Sequence, residues 1–82
     1  MIIVNIKVPA LEKEYNFSVD ENAPVQDLVE EIAELIVQKE GVQFSGRMED
    51  MVLCSSEPGF QCARGSCLND YGIYGGAELI LV

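Results

Sequence analysis

From Ile2 to Val8 the even positions Ile2, Val4, Ile6 and Val8 are all apolar, whereas the odd ones are Ile3, Asn5 and Lys7. A period of two predicts a strand with one covered face. Pro9, Ala10 and Leu11 interrupt it, and from Lys13 to Asp20 the alternation resumes with Tyr15, Phe17 and Val19 against Glu14, Asn16, Ser18 and Asp20. Two strands joined by so short a link predict a hairpin. After the polar break Asp20-Glu21-Asn22-Ala23-Pro24, the apolar positions Val25, Leu28, Val29, Ile32, Leu35 and Ile36 recur at spacings of three and four. That is one helical stripe, with Asp27, Glu30, Glu31 and Glu34 opposite it or on its flanks. Pro24 suits the first turn, the acids cluster early, Lys39 lies near the end, and Gly41 follows where a left-handed cap costs glycine little.

Downstream the pattern weakens. Residues 42–50 read as a connecting loop, Met51 to Cys54 as a third strand, Ser55 to Gly59 as a turn, and Phe60 to Cys62 as a short edge strand. Ala63 to Ser66 is loop again. Leu68 to Ile73 forms a short apolar turn, Gly75-Gly76 a corner, and Leu79-Ile80-Leu81 a final strand running to Val82. A helix between a hairpin and later strands predicts an α+β domain, with the helix packed across one face of a mixed sheet of four to five strands. If the helix covers the face carrying Val4, Ile6, Tyr15, Phe17, Leu79 and Leu81, parity puts Ile3, Ile80 and Val82 on the opposite face, beside alternate residues of Met51 to Cys54. A row of apolar side chains in water is a candidate contact surface for a protein partner.

Composition narrows the classes. At 82 residues there is room for one domain spanning 1–82, because a separate core needs roughly 50 residues of its own. The balance of 14 acidic against 5 basic residues, with no histidine, gives a formal charge of -9. That argues against nucleic acid or an anionic membrane as partner, since both are bound through Lys and Arg. Met1 to Lys7 lacks the basic start of a signal peptide, and no apolar run approaches the roughly 20 residues of a membrane span. A soluble, cytoplasmic chain is the expectation, without direct membrane insertion.

Candidate chemistry is sparse. Cys54, Cys62 and Cys67 lack the paired spacing of a zinc ribbon, and no histidine is present to complete a metal site or to serve as base for a nucleophilic thiol. Glu30 and Glu34 stand one helical turn apart on an exposed face, where nothing shifts a carboxyl as burial does. Gly75-Gly76 leads into no helix that could hold a phosphate. The expectation is no enzyme, no metal and no cofactor; a thiol or metal module built on the three cysteines is the alternative.

Leu68-Asn69-Asp70-Tyr71-Gly72-Ile73, followed by Leu79-Ile80-Leu81, resembles the ubiquitin-like β-grasp family. The resemblance implies that the first and last strands lie side by side and parallel at the centre of the sheet. It also implies that Leu68, Ile73, Leu79 and Leu81 are core, and that Asp70 and Tyr71 belong to a structural turn whose tyrosine hydroxyl ties it to a neighbouring loop. Within that family, Leu68, Asp70, Gly72-Ile73, Gly76, Leu79 and Leu81, with a helix following Pro24-Val25, are most similar to the YukD/EsaB small ubiquitin-like proteins of bacterial type VII (WXG100) secretion systems. Family members that conjugate or carry sulfur end in a Gly-Gly tail beyond the last strand; here Gly75-Gly76 precede the strand and Val82 follows it. A sulfur-carrier role is thereby disfavoured, and the expectation is a module acting by contact through Ile3, Ile80 and Val82, with homodimerisation as a further use of that face.

Overall fold

The hairpin closes on a turn whose geometry the sequence marks with Pro9. In the computed structural model, which describes residues 1–41, 50–56, 59 and 61–82, β1 (Ile2–Val8) leads into a single 3-10 turn at Pro9–Leu11. Glu12 then adopts a left-handed conformation at φ 54°, and its N–H donates to the Pro9 carbonyl at 3.1 Å. The chain reverses into β2 (Lys13–Val19), antiparallel to β1 from Ile2↔Val19 through Val8↔Lys13. This register sets Val4 against Phe17 and Ile6 against Tyr15, so the two apolar parities share a face.

The helix α1 spans Val25–Glu40. It buries Val25, Leu28, Val29, Ile32, Ala33 and Ile36. Leu35, expected in that stripe, is 44% exposed. At 3.6 residues per turn it sits about 90° from the centre of the buried arc, and the small Ala33 occupies the opposite flank instead. Pro24 precedes the helix as its cap, with no side-chain hydrogen bond. The free N–H groups of the first turn find remote backbone carbonyls: Val25 N–H donates to Ser66 at 2.8 Å and Gln26 N–H to Arg64 at 3.1 Å. The helix ends where expected, at Gly41 with φ 66°, whose N–H donates to Val37.

Among the described residues, β3 (Leu53–Ser55) and β4 (Glu78–Leu81) join β1 and β2 in a four-stranded sheet in the order β2-β1-β4-β3. β4 runs parallel to β1, with Ile6 beside Leu79 and Lys7 beside Ile80. It runs antiparallel to β3, with Leu53 beside Leu81 and Cys54 beside Ile80. The third strand thus lies slightly downstream of the expected Met51–Cys54, although Val52 still exchanges two backbone hydrogen bonds with Val82, at 2.7 and 3.0 Å. Of the expected edge strand Phe60–Cys62, Phe60 lies outside the described residues; Gln61 makes an isolated bridge to Cys54 and Cys62 N–H donates to Leu53. Most of the expected 42–50 loop and part of the Ser55–Gly59 turn also lie outside the described residues, while Ser55 itself is in β3.

The helix stripe packs on one face of this sheet. Val4, Ile6, Val8, Leu53, Leu79 and Leu81 from the strands meet Val25, Leu28, Val29, Ile32 and Ile36 from the helix, and Leu68 and Cys62 close the cluster. Among the described residues no helix is long and apolar enough to cross a membrane.

Candidate protein-interaction site

The helix covers one side of the sheet, so residues of opposite parity compose the other. On β2 these are Glu14, Asn16 and Ser18, all exposed; on β1 they are Ile3, Asn5 and Lys7. On β4 they are Glu78 and Ile80, followed by Val82 just past the strand, and Cys54 and Val52 stand beside them because Leu53 is turned into the core. The face therefore grades from polar to apolar. Its polar half is tied together by Asn5 donating to Asn16 at 3.3 Å and by a Lys7–Glu78 ion pair at 3.8 Å. Both partners of that pair are about half exposed, and such pairs contribute about 0–1 kcal/mol.

The three residues singled out from the sequence do not form one row. Ile80 and Val82 lie together, with Cys54 of β3 and Val52 just before that strand across from them. Ile3 is 61% exposed but sits four residues back along β1 from Lys7, the partner of Ile80. That separation is about 13 Å along a strand, with the Lys7–Glu78 pair between. The apolar patch is thus Val52, Cys54, Ile80 and Val82, with Val82 53% exposed. Val52 and Cys54 could be assigned to it only once the parity of Leu53 was known.

Leu68–Tyr71 is a 3-10 turn, and Leu68 is fully buried. Asp70 accepts a hydrogen bond from Cys67 N–H at 3.0 Å, closing the turn on itself. The Tyr71 hydroxyl accepts from Ala63 N–H at 2.7 Å and shares a 2.9 Å hydrogen bond with the Ser66 hydroxyl. The loop it holds is the one whose Arg64 and Ser66 carbonyls satisfy the start of α1, so Tyr71 anchors the helix indirectly. Ile73 is partly buried against the core.

The cysteines are free thiols in different settings. Cys62 is buried, and burial, followed by the nearby Cys54, pushes its thiol pKa up, away from the reactive thiolate. Cys54 and Cys67 are half-buried. Among the described residues no group of three His, Cys, Asp or Glu side chains is placed to hold a metal ion.

A further polar cluster pins the helix end to β2. Glu40 accepts from Lys13 at 2.7 Å and from Tyr15 at 2.8 Å. The Lys13 bond first, then the Tyr15 bond, hold the Glu40 carboxyl below its ordinary pKa, and the same Glu40 bond raises Lys13. Tyr15 is raised first by burial and then by donating to Glu40. A depressed folded carboxyl stabilises above its unfolded pKa and loses that share as pH falls through the folded value; a raised lysine contributes below its unfolded pKa and loses its share as pH rises through the folded one. Glu40→Gln is therefore expected to flatten the acid arm of stability, below about pH 4.5. Urea unfolding of parent and variant between about pH 7 and pH 3 checks this, and parallel slopes would exclude the pairing.

The parallel β1–β4 pair, the antiparallel hairpin and the helix α1 across one face make this the ubiquitin-like β-grasp fold. Solved structures agree: a ubiquitin-like domain of an Arabidopsis thaliana protein, determined by solution NMR, is similar with a TM-score of 0.73 at 26% identity, over 99% of this chain and 74% of that one. A computationally designed protein based on human erythrocytic ubiquitin matches with a TM-score of 0.70 at 27% identity, over 100% of this chain and 90% of that one. No protein-family model matches the chain, and no curated protein does.

Proposed function

We propose that this chain is a non-enzymatic protein-interaction module that binds a protein through the uncovered face of its sheet, centred on Ile80. The observation that carries this reading is the grouping of Val52, Cys54, Ile80 and Val82 on the side opposite the helix, next to a polar half that would form the rim. The ubiquitin-like fold supports it, since its helix is spent on the core and, among the described residues, no helix covers that face. The finer role is an accessory or regulatory component of a type VII secretion system, in the cytoplasm. Its support is the likeness of Leu68, Asp70, Gly72-Ile73, Gly76, Leu79 and Leu81 to the YukD/EsaB proteins.

Ile80→Glu places a carboxylate at the centre of the patch without touching the core. Its partner should be captured at least about 10-fold less well from native lysate, in keeping with a central interface residue, while the thermal midpoint stays within a few degrees. Undiminished capture by a folded Ile80→Glu protein would remove this face as the binding surface.

A further inference from the structure

A hollow lies at the end of the sheet, where the end of β3 meets the chain that follows the Leu68–Tyr71 turn. It measures about 520 Å³ and opens between Ser55 and Ser56 on one side and the run from Tyr71 to Glu78 on the other. Ligand pockets are commonly of that size, roughly 300–1,000 Å³. The space exists because most of its lining is serine, glycine and alanine, and open space also lies where a Cβ would stand on each of its three glycines. The large side chains in the lining are Tyr71, Ile73, Tyr74 and Glu78.

The chemistry of that lining selects its ligand. No lysine or arginine lines the hollow, and its one ionised side chain is Glu78. The Ser56 hydroxyl donates to the Glu78 carbonyl at 3.1 Å, so its oxygen is left to accept. The Tyr71 hydroxyl is engaged with Ala63 and Ser66, so what Tyr71 offers is its ring. Tyr74 is 75% exposed, and its ring is open to a ligand. Glu78 meets Lys7 through Oε2 alone, at 3.8 Å and about half exposed, while Oε1 belongs to no ion pair among the described residues. Aromatic faces, an accepting hydroxyl and a carboxylate, in a chain of net charge -9, disfavour an anion and attract a cation. A planar guanidinium uses all three, because it stacks on an aromatic face while its fork of N–H groups reaches a carboxylate. We propose that this hollow receives the arginine side chain of a partner protein, stacked on Tyr74 and bonded to Glu78 and Ser56. The site stands apart from the Ile80 patch and holds whether or not that patch binds.

The probe is a blocked Gly-Arg-Gly tripeptide titrated into the ¹⁵N-labelled full chain at moderate salt. Saturable shifts at Ser55, Ser56 and Tyr71–Glu78 are expected. The citrulline analogue keeps the shape but loses the charge, and should bind at least about 10-fold more weakly. Tyr74→Ala and Glu78→Gln, both at exposed positions, should each weaken binding several-fold. Lys7→Gln, which removes the competing cation, should tighten it. Equal binding of the citrulline peptide, shifts spread over the helix acids Glu30, Glu31 and Glu34, or indifference to both Tyr74→Ala and Glu78→Gln would overturn the proposal in favour of diffuse charge attraction. Tighter binding of free methylguanidine than of the peptide would overturn it by giving the hollow to a small guanidine instead of a protein side chain.

Discussion

Leu68→Ala is expected to destabilise the protein by about 2–5 kcal/mol, and by the upper part of that range, because the site cannot collapse around the loss. Leu68 is fully buried at the end of the core, on a 3-10 turn fixed from several directions. Its carbonyl accepts from Ile73 N–H at 3.2 Å, the next residue's N–H reaches Glu21 at 2.9 Å, and Cys67 bridges Pro24. Tyr71, three residues on, is held to Ala63 and Ser66. A turn so restrained cannot move inward to fill the space of a leucine side chain. A domain of 82 residues has about 4–12 kcal/mol in total, so the variant should forfeit a large share of it. The thermal midpoint should fall by roughly 4–8 °C for each kcal/mol. Urea unfolding should show a lower midpoint at an unchanged slope. Leu35→Ala, removing a leucine that is 44% exposed, is the control and should cost far less. A loss below about 1 kcal/mol for Leu68→Ala would mean that this leucine does not plug the core as drawn.

The same contrast shows where the sequence is legible. Both hairpin strands and the helix could be read because each has one wet and one dry face over seven or more residues, long enough for the period to show. The end of α1 could be read because Gly41 marks it chemically. β3 has three residues, too few for any period, and its bounds were set by pairing with β4. The start of α1 could be read because Pro24 marks it, standing immediately before Val25, whereas the carbonyls that satisfy its first N–H groups lie some forty residues away in the chain and left no local signal.

For the candidate site, parity correctly separated Leu79 and Leu81 from Ile80 and Val82, since alternation is a property of one strand. What parity could not give is register between strands. Ile3 shares the face of Ile80, but the parallel pairing sets Lys7, not Ile3, beside it. The turn residues came from another source, the resemblance to the ubiquitin-like family rather than any period in the chain, and in the structure the Tyr71 hydroxyl meets Ala63 and Ser66 of a neighbouring loop.

Leu79→Asp should have the largest effect of all, and it separates the two faces of a single strand. β4 lies between β1 and β3, and Leu79 stands beside Ile6 on one side and Ser55 on the other. Its side chain is fully buried among Val4, Ile6, Leu53 and the helix stripe. A carboxylate there would lose its hydration without gaining a cation, a cost of several kcal/mol added to the lost leucine packing. Against about 4–12 kcal/mol of total stability, the chain should be unfolded or nearly so at neutral pH, with collapsed amide dispersion in NMR spectra. Burial would raise the folded pKa of the introduced acid, so the destabilisation is greatest above that pKa and eases as pH falls through it. Leu79→Asn, which buries a neutral group of the same shape, should retain more structure at pH 7, and the difference isolates the charge. Ile80→Glu, one residue along, should leave the fold intact, because the strand turns that side chain to the uncovered face. If Leu79→Asp kept the thermal midpoint of the parent while Ile80→Glu unfolded the chain, β4 would be in the opposite register, and the Ile80 patch would belong to the core.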